Sequence, residues 1–232
     1  MSLFDEHKAE RRARILAAAR KLVAERGYDG LTMRDLARAA RVSVPTLYNL
    51  FGSKDAILVA ELEASAARMA AAVPPIEDGF YARGAATFEA GMRMIEEAPE
   101  FFRAVMRMFL TSPETAPMRR RAEERYIAIM AANLAAAKRA GQLADWAEPA
   151  IAARHMFALY MSCFLAWGMG ELDLPSFRAA ALSGICHLLI GVARGPFALE
   201  VEARIRELYR AAPLQPFKEV GHVPRGSDRD AD

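Results

Sequence analysis

Apolar residues recur every three or four positions through most of the chain, which is the spacing of amphipathic helices. Gly, Pro and Asp-Leu-Pro signals interrupt the periodic segments. Helices are therefore predicted over residues 8–26, 32–40, 44–50, 54–73, 79–97, 99–110, 115–140, 148–169, 175–194 and 198–211. No segment alternates apolar and polar residues as a half-buried strand does, so the predicted fold class is all-α.

Two of these helices are short and carry clear start signals. Thr32 can cap the first, with Asp35 three residues later near the positive end of the helix dipole. Ser43 can cap the second, whose first turn contains Pro45. Because so short a helix is marginal alone, we expect Val42, Leu47 and Phe51 to anchor it. Two short helices joined by a tight turn form a helix-turn-helix, which places its second helix in a DNA major groove.

The second short helix has a face suited to contacting DNA. That face carries small and hydrogen-bonding side chains, which can touch base edges, thymine methyls or phosphates: Val44, Pro45, Thr46, Tyr48 and Asn49. Packing of Tyr48 and solvation of Asn49 are the simpler alternatives. A third helix start at Ser53 puts Lys54 where the dipole favours an anion, and a backbone phosphate would resolve that conflict.

The charge is divided unevenly along the 232 residues, although the net charge is only +2. Residues 1–60 hold eleven Lys or Arg and seven Asp or Glu, which gives +4, while residues 61–232 hold twenty and twenty-two, which gives −2. The basic end is therefore also the end with the helix-turn-helix, as a module that binds a polyanion requires.

The first 60 residues resemble the amino-terminal domain of the tetracycline-repressor (TetR) family of bacterial transcription regulators. The matching positions are Ile15-Leu16, Ala18-Ala19, Leu22, Gly27-Tyr28, Thr32, Leu36-Ala37, Val42-Ser43, Thr46-Leu47-Tyr48, Phe51 and Ser53-Lys54.

The resemblance also implies roles for individual residues. Thr32 and Arg34 would contact phosphate or nearby bases, and Tyr48 and Lys54 would clamp phosphates. The residues facing the major groove would be Val44, Pro45, Thr46 and Asn49. Family members often have Tyr or His where this chain has Leu50, so a phosphate contact is expected to be missing there.

The expected domains are a DNA-binding domain at 1–53, a connecting helix at 54–73, a helical effector-binding and dimerisation domain at 74–212 and a flexible tail at 213–232. Pro74-Pro75 is expected to stop the connecting helix. The tail contains residues 223–227, which look like either a protease-site remnant or native sequence.

The helix over 148–169 is apolar almost all round, and the helix over 175–194 carries small residues that permit close approach. We therefore expect both helices to pair with their copies in a homodimer. The family resemblance implies the same. Two recognition helices would then read a palindromic operator in double-stranded DNA.

Met and aromatic residues crowd the central helices and suit a pocket for an apolar or aromatic small molecule. The candidate lining residues are Met92, Met106, Phe109, Tyr126, Met130, Met156, Tyr160 and Phe164. Ordinary core packing is the alternative for each of them, because such stripes at helical spacing are usually core.

Other chemistry finds little support in the sequence. His155 and His187 have no third ligand at a metal-binding spacing, Arg119-Arg120-Arg121 suits a solvated face better than DNA, and neither a nucleophile elbow nor a Gly-rich phosphate loop occurs. We expect no enzymatic activity, cofactor or metal. Cys163 and Cys186 are expected to be buried thiols in a soluble cytoplasmic protein, with no signal peptide and no apolar run long enough to span a membrane.

The sequence thus favours a homodimeric repressor that a small apolar effector releases from its operator. A helical small-molecule carrier with a vestigial DNA-binding domain is the alternative, and an activator or architectural protein without an effector is a third possibility.

Overall fold

The computed structural model describes residues 3–71 and 80–211, and these residues form ten α-helices. The helices are α1 Leu3–Arg26, α2 Met33–Ala40, α3 Val44–Phe51, α4 Lys54–Ala71, α5 Phe80–Glu97, α6 Pro99–Thr111, α7 Ala116–Arg139, α8 Pro149–Gly168, α9 Leu174–Val192 and α10 Gly195–Ala211. A 3₁₀ turn, Pro113–Thr115, precedes α7. One isolated bridge joins Leu143 to Ala193, and the described residues form no β-strand, so the all-α prediction is confirmed.

Most helix bounds lie within three residues of the predicted ones. The exception is α1, which begins at Leu3 rather than Lys8. Asp5 and Glu6 occupy its first turn, where carboxylates favour the positive end of the helix dipole. The predicted end of α4 near Val73, the Pro74-Pro75 stop and the tail over 213–232 lie outside the described residues.

The first four helices share one core, which holds the helix-turn-helix in place. Ile15 and Ala19 of α1, Leu36 of α2, Leu47 of α3 and Ile57 of α4 are fully buried in it. Leu47 is the anchor of α3, as predicted, and the other two predicted anchors, Val42 and Phe51, are half-buried against the same core. We call α1–α3 and the first turns of α4 the head.

The turn between α2 and α3 depends on a left-handed residue. Arg41 has φ 51° and ψ 51°, and the backbone N–H of Val42 donates to the carbonyl of Ala37 at 3.0 Å. This geometry closes the end of α2 and redirects the chain, although glycine would adopt it with less strain.

The helices α5–α10 surround two apolar clusters. In one, the rings of Tyr160, Phe164 and Trp167 on α8 pack around Phe177 on α9, with centroid separations from this ring of 5.5–6.0 Å. The other lies among α7, α8, α9 and α10 and includes Leu134, Ala153, Ile185, Leu189, Phe197 and Val201. At the α8–α9 crossing, a Cβ on Gly184 would lie 2.6 Å from Leu159, so glycine permits this close approach.

Two helices, Pro149–Gly168 and Leu174–Val192, are long and apolar enough to cross a membrane by length and composition. The sequence prediction counted only the longest uncharged run, residues 155–170, whereas these two helices also include Arg154 and Arg178. Core helices of soluble proteins pass the same test, so this finding is weak evidence for a membrane span.

Candidate nucleic-acid interface

The caps of α2 and α3 form as the sequence predicts. Thr32 Oγ1 accepts from the backbone N–H of Asp35 at 3.1 Å and donates to its carboxylate at 2.8 Å. Ser43 Oγ accepts from the backbone N–H of Thr46 at 3.2 Å. Gly52, with φ 84°, ends α3 after two turns, so the recognition helix is short and fixed at both ends.

The outward face of α3 consists of Pro45, Tyr48 and Asn49. All three are exposed, and Tyr48 is 52% exposed although it is a large aromatic residue. Their spacing places them side by side on the helix. A large aromatic ring held in solvent beside an amide is a surface suited to a polar partner.

The other two predicted groove residues on α3 are less available. Val44 is half-buried and packs against the core of the head. Thr46 is also half-buried, and its hydroxyl lies 2.7 Å from that of Ser43, where either group can donate. Both residues hold the helix in place as well as bordering its outer face.

Two predicted contacts lie at the start of α2. Thr32 and Arg34 are both exposed, and Arg34 forms no ion pair with any described residue. Asp35, by contrast, is within 3.6 Å of both Arg26 and Arg38. Arg34 therefore presents a positive charge at the start of α2 that no described carboxylate matches.

Lys54 is held by the protein itself, which the sequence did not predict. Its Nζ donates to the backbone carbonyl of Tyr28 at 3.2 Å and lies 3.9 Å from the centroid of the Tyr28 ring. The Tyr28 hydroxyl donates to Asp55 Oδ1 at 2.6 Å. Burial, followed by this hydrogen bond, raises the pKa of Tyr28 to about 12. The ammonium at the start of α4 thus has a partner without phosphate, although its remaining N–H groups can still donate.

Leu50, which departs from the family pattern, is half-buried against the head's core. It lines a shallow groove together with Phe51, Arg12 and Arg121. Arg12 lies over the Phe51 ring at 4.5 Å. Arg119 at the start of α7 pairs with Glu123 at 2.9 Å, which agrees with the solvated-face interpretation of that arginine run.

The predicted effector residues fall into separate packing groups. Met92 and Met106 are buried, Phe109 packs against the first apolar cluster, Tyr126 stacks on Phe157 at 6.4 Å, Tyr160 stacks on Phe164 at 6.2 Å, and Met130 and Met156 pack against the second cluster. None of the eight lines the groove beside Leu50. The effector assignment for these residues therefore stays a prediction.

Neither cysteine nor histidine forms a reactive site among the described residues. Burial raises the pKa of both the Cys163 and Cys186 thiols, which keeps them protonated. His187 Nδ1 lies 2.7 Å from the carbonyl oxygen of Ser183, and His155 is exposed on α8. Residues 3–71 and 80–211 contain no group of three side chains that could hold a metal ion.

Sequence reasoning missed one charged cluster, at Glu61. This glutamate is 1% exposed in the middle of α4, and its Oε1 lies 3.2 Å from Arg20 of α1, 2.8 Å from Arg68 and 3.1 Å from the Ser65 hydroxyl. A signal was present, because Glu61 lies on the same helical stripe as Ile57, Leu58 and Leu62. A carboxylate on a buried stripe requires a cationic partner.

The amino-terminal domain matches a known family. The sequence model described as bacterial regulatory proteins, tetR family, matches residues 15–60, which span α1 to the first part of α4. These residues of the chain are therefore similar to the amino-terminal domain of the TetR family. The match covers the helix-turn-helix and both of its capped helices, as the sequence predicted, and the family consists of regulators rather than enzymes.

Two curated relatives match over a short part of the chain. The HTH-type transcriptional regulator HbdR of Aromatoleum sp. (strain CIB) is 46% identical over 54 residues, which are 23% of this chain and 24% of HbdR. The HTH-type transcriptional repressor Rv1474c of Mycobacterium tuberculosis is 40% identical over 67 residues, which are 29% of this chain and 36% of the repressor. The match therefore spans about a quarter to a third of each relative.

Solved structures of the TetR family share the fold over most of this chain. SmeT, the repressor of the Stenotrophomonas maltophilia multidrug efflux pump SmeDEF, aligns with a TM-score of 0.63 and 21% identity over 80% of this chain and 92% of its own. A TetR-family regulator from Pectobacterium atrosepticum aligns with a TM-score of 0.62 and 23% identity, over 84% of this chain and 100% of its own. The helical arrangement of α5–α10 is thus that of TetR-family proteins.

Proposed function

We propose that this chain is a DNA-binding transcription regulator of the TetR type, most simply a homodimeric repressor. The observation that carries the proposal is the exposed face of α3, where Pro45, Tyr48 and Asn49 project from a helix capped at both ends. That two sequence and structural relatives are named as repressors supports this direction of regulation. A regulator of this kind works in the cytoplasm, where bacterial DNA lies.

In the proposed complex, α3 enters the major groove. Asn49 reads a base edge, Pro45 contacts groove-exposed methyl groups, and Tyr48 donates its hydroxyl to phosphate. Thr32 and Arg34 at the start of α2 contact the adjacent backbone. Lys54 contributes its remaining N–H groups. Residues 1–53 thus form the DNA-binding domain and α4 connects it to the rest.

The homodimer forms through α8 and α9. On α8 and at its C-cap, residue 169, exposed or half-buried residues recur at 151, 155, 158, 162, 165 and 169, which is a seam of 3-4 spacing. Ile151 is 56% and Met169 is 60% exposed at its two ends. On α9, Leu188 and Gly191 are exposed and form a second open stripe. A second copy covers both stripes, and residues 74–212 thus serve dimerisation as well as effector binding.

Regulation requires an effector that favours one spacing of the two heads. Recognition helices must lie about one duplex turn apart, roughly 34 Å, to dock together. A small apolar effector that binds the incompetent spacing more tightly than the competent one releases the operator. The helix α4 transmits the change, because it is covalently continuous from the head towards α5.

Selection of bound fragments from random DNA by the full-length protein tests this proposal. We expect an enriched palindromic sequence, because two identical α3 helices related by a twofold axis read the two strands alike. Tight binding of an apolar small molecule with no enriched sequence would instead support the carrier function and would overturn the regulator.

A further inference from the structure

A cavity of about 390 Å³ lies where the head meets the second domain. Its walls come from α1, α4, α5 and α6. The volume falls within the range of small-molecule sites, which is roughly 300–1,000 Å³. The cavity thus joins elements of both proposed domains at one place.

Positive charge dominates this cavity. Arg20, Arg68 and Arg93 line it, and Glu97 is the acidic lining residue. Arg20 and Arg68 share the buried carboxylate of Glu61 at 3.2 and 2.8 Å. Arg93 is exposed and forms no ion pair with a described residue. The three guanidinium groups face two carboxylates, so one positive charge is left without a partner at this junction.

Apart from Ser65, the rest of the wall is apolar. Met69 and Phe102 are 8% and 4% exposed, and Met94 is half-buried against the same core. Thioether and phenyl groups suit an adaptable apolar surface. Guanidinium groups on one side and apolar groups on the other match a ligand with an acidic head and an apolar body.

We propose that this junction cavity binds a small organic acid. Its carboxylate accepts hydrogen bonds from Arg93 on α5 and Arg68 on α4. Its apolar body lies against Met69, Met94 and Phe102. Such a site differs from the Met- and Tyr-rich positions predicted from the sequence, none of which lines this cavity.

Binding here changes the contacts that fix α4 on α1, and this step rests on the proposed regulatory function. The acid competes with Glu61 for Arg68 and leaves Arg20 of α1 as the main counter-charge of that glutamate. It also adds a bridge between α4 and α5. A ligand that alters how α4 sits on α1 alters the placement of the recognition helix, which follows α1 in the head.

Isothermal titration of the full-length protein with matched probes tests the site without DNA. We expect octanoate to bind saturably and octanamide, its neutral analogue, to bind at least about tenfold more weakly, because charge-assisted hydrogen bonds are lost. Arg93→Met should weaken octanoate binding by a similar factor. Arg125→Met removes an exposed arginine of α7 away from the cavity and should leave binding unchanged.

Three outcomes overturn the site: no saturable binding of octanoate, equal binding of the acid and the amide, or no effect of Arg93→Met. Inorganic phosphate that binds as tightly as octanoate, with the same sensitivity to Arg93→Met, overturns the apolar part of the proposal.

A second arm separates this inference from the proposed function. With an enriched DNA fragment, octanoate should lower the DNA affinity of the wild type but not of Arg93→Met. If octanoate binds through Arg93 and DNA affinity stays the same, the link to regulation is overturned while the site stands. If octanoate binds and random DNA yields no enriched sequence, the proposed function fails and the site again stands.

Discussion

In the Glu61 cluster, removal of the carboxylate and removal of the arginines are predicted to have unequal effects on the free energy of unfolding. Its carboxylate side chain is only 2% exposed, whereas Arg20 and Arg68 are 41% and 54% exposed. Loss of the carboxylate therefore lets both guanidinium groups return to water. Loss of both arginines leaves a buried charge with Ser65 as its one remaining partner among the described residues.

The magnitudes follow from this difference in exposure. Glu61→Gln keeps the shape and the acceptor, and it should cost about 1–2 kcal/mol, since charged hydrogen bonds become neutral ones. The double variant Arg20→Met/Arg68→Met should cost about 3–5 kcal/mol, the usual effect of stripping a buried charge of its partners. Adding Glu61→Gln to the double variant should restore at least about 2 kcal/mol, because the uncompensated charge is gone.

Urea unfolding followed by circular dichroism measures these differences. Protein concentration must be the same for all variants, because dimer dissociation would otherwise contribute to the midpoint. The reasoning is refuted if Glu61→Gln destabilises more than the double arginine variant, or if the triple variant shows no recovery.

Three further predictions address other parts of the molecule. The pKa of Tyr28 is raised to about 12 from 10.0, so the folded state keeps the phenol proton to higher pH than the unfolded state does. The stability that this group contributes is therefore complete below pH 10 and declines as pH rises towards 12. Phenolate absorbance and the pH dependence of unfolding should both show this, and Tyr28→Phe should abolish the pH dependence. Arg41→Gly should raise the free energy of unfolding in urea by about 0.5–1 kcal/mol. Glycine relieves the strain of the left-handed conformation, and its greater conformational entropy in the unfolded chain offsets part of that gain. A destabilised variant would contradict the strain assigned to Arg41. Ala158→Arg, in the middle of the exposed α8 seam, should raise the dimer dissociation constant measured by sedimentation at least about tenfold, because two cations buried at the interface repel each other. Ala132→Arg, at an exposed position of α7, should leave this constant unchanged. Equal effects of the two variants would contradict the proposed interface.

Local signals made the helices predictable. Thr32 and Ser43 cap their helices through hydrogen bonds to residues three positions away, and the apolar period places Leu36 and Leu47 in the core, so both features lie within a few residues of sequence. The exposed face of α3 follows from the same period.

Contacts between distant parts of the chain were not predictable. Lys54 meets Tyr28 across 26 positions, and the sequence alone left its ammonium free for phosphate. Glu61 finds Arg20 on another helix. Such pairs depend on how helices cross, which a helical period does not specify. For the same reason the sequence could not show that the predicted effector residues lie in separate packing groups. A count of Met and aromatic side chains cannot distinguish a cavity wall from packed core.

The central claim is that two α3 helices read a palindrome, and one comparison tests it most directly. Bound fragments are selected from random DNA by the wild type, by Asn49→Ala, and by Gln142→Ala as a control in the second domain. We predict a palindrome for the wild type and the control. For Asn49→Ala we predict loss of preference at the same base position in both half-sites, corresponding to about 1–3 kcal/mol per contact. An unchanged consensus for Asn49→Ala, or no palindrome for the wild type, would contradict the account.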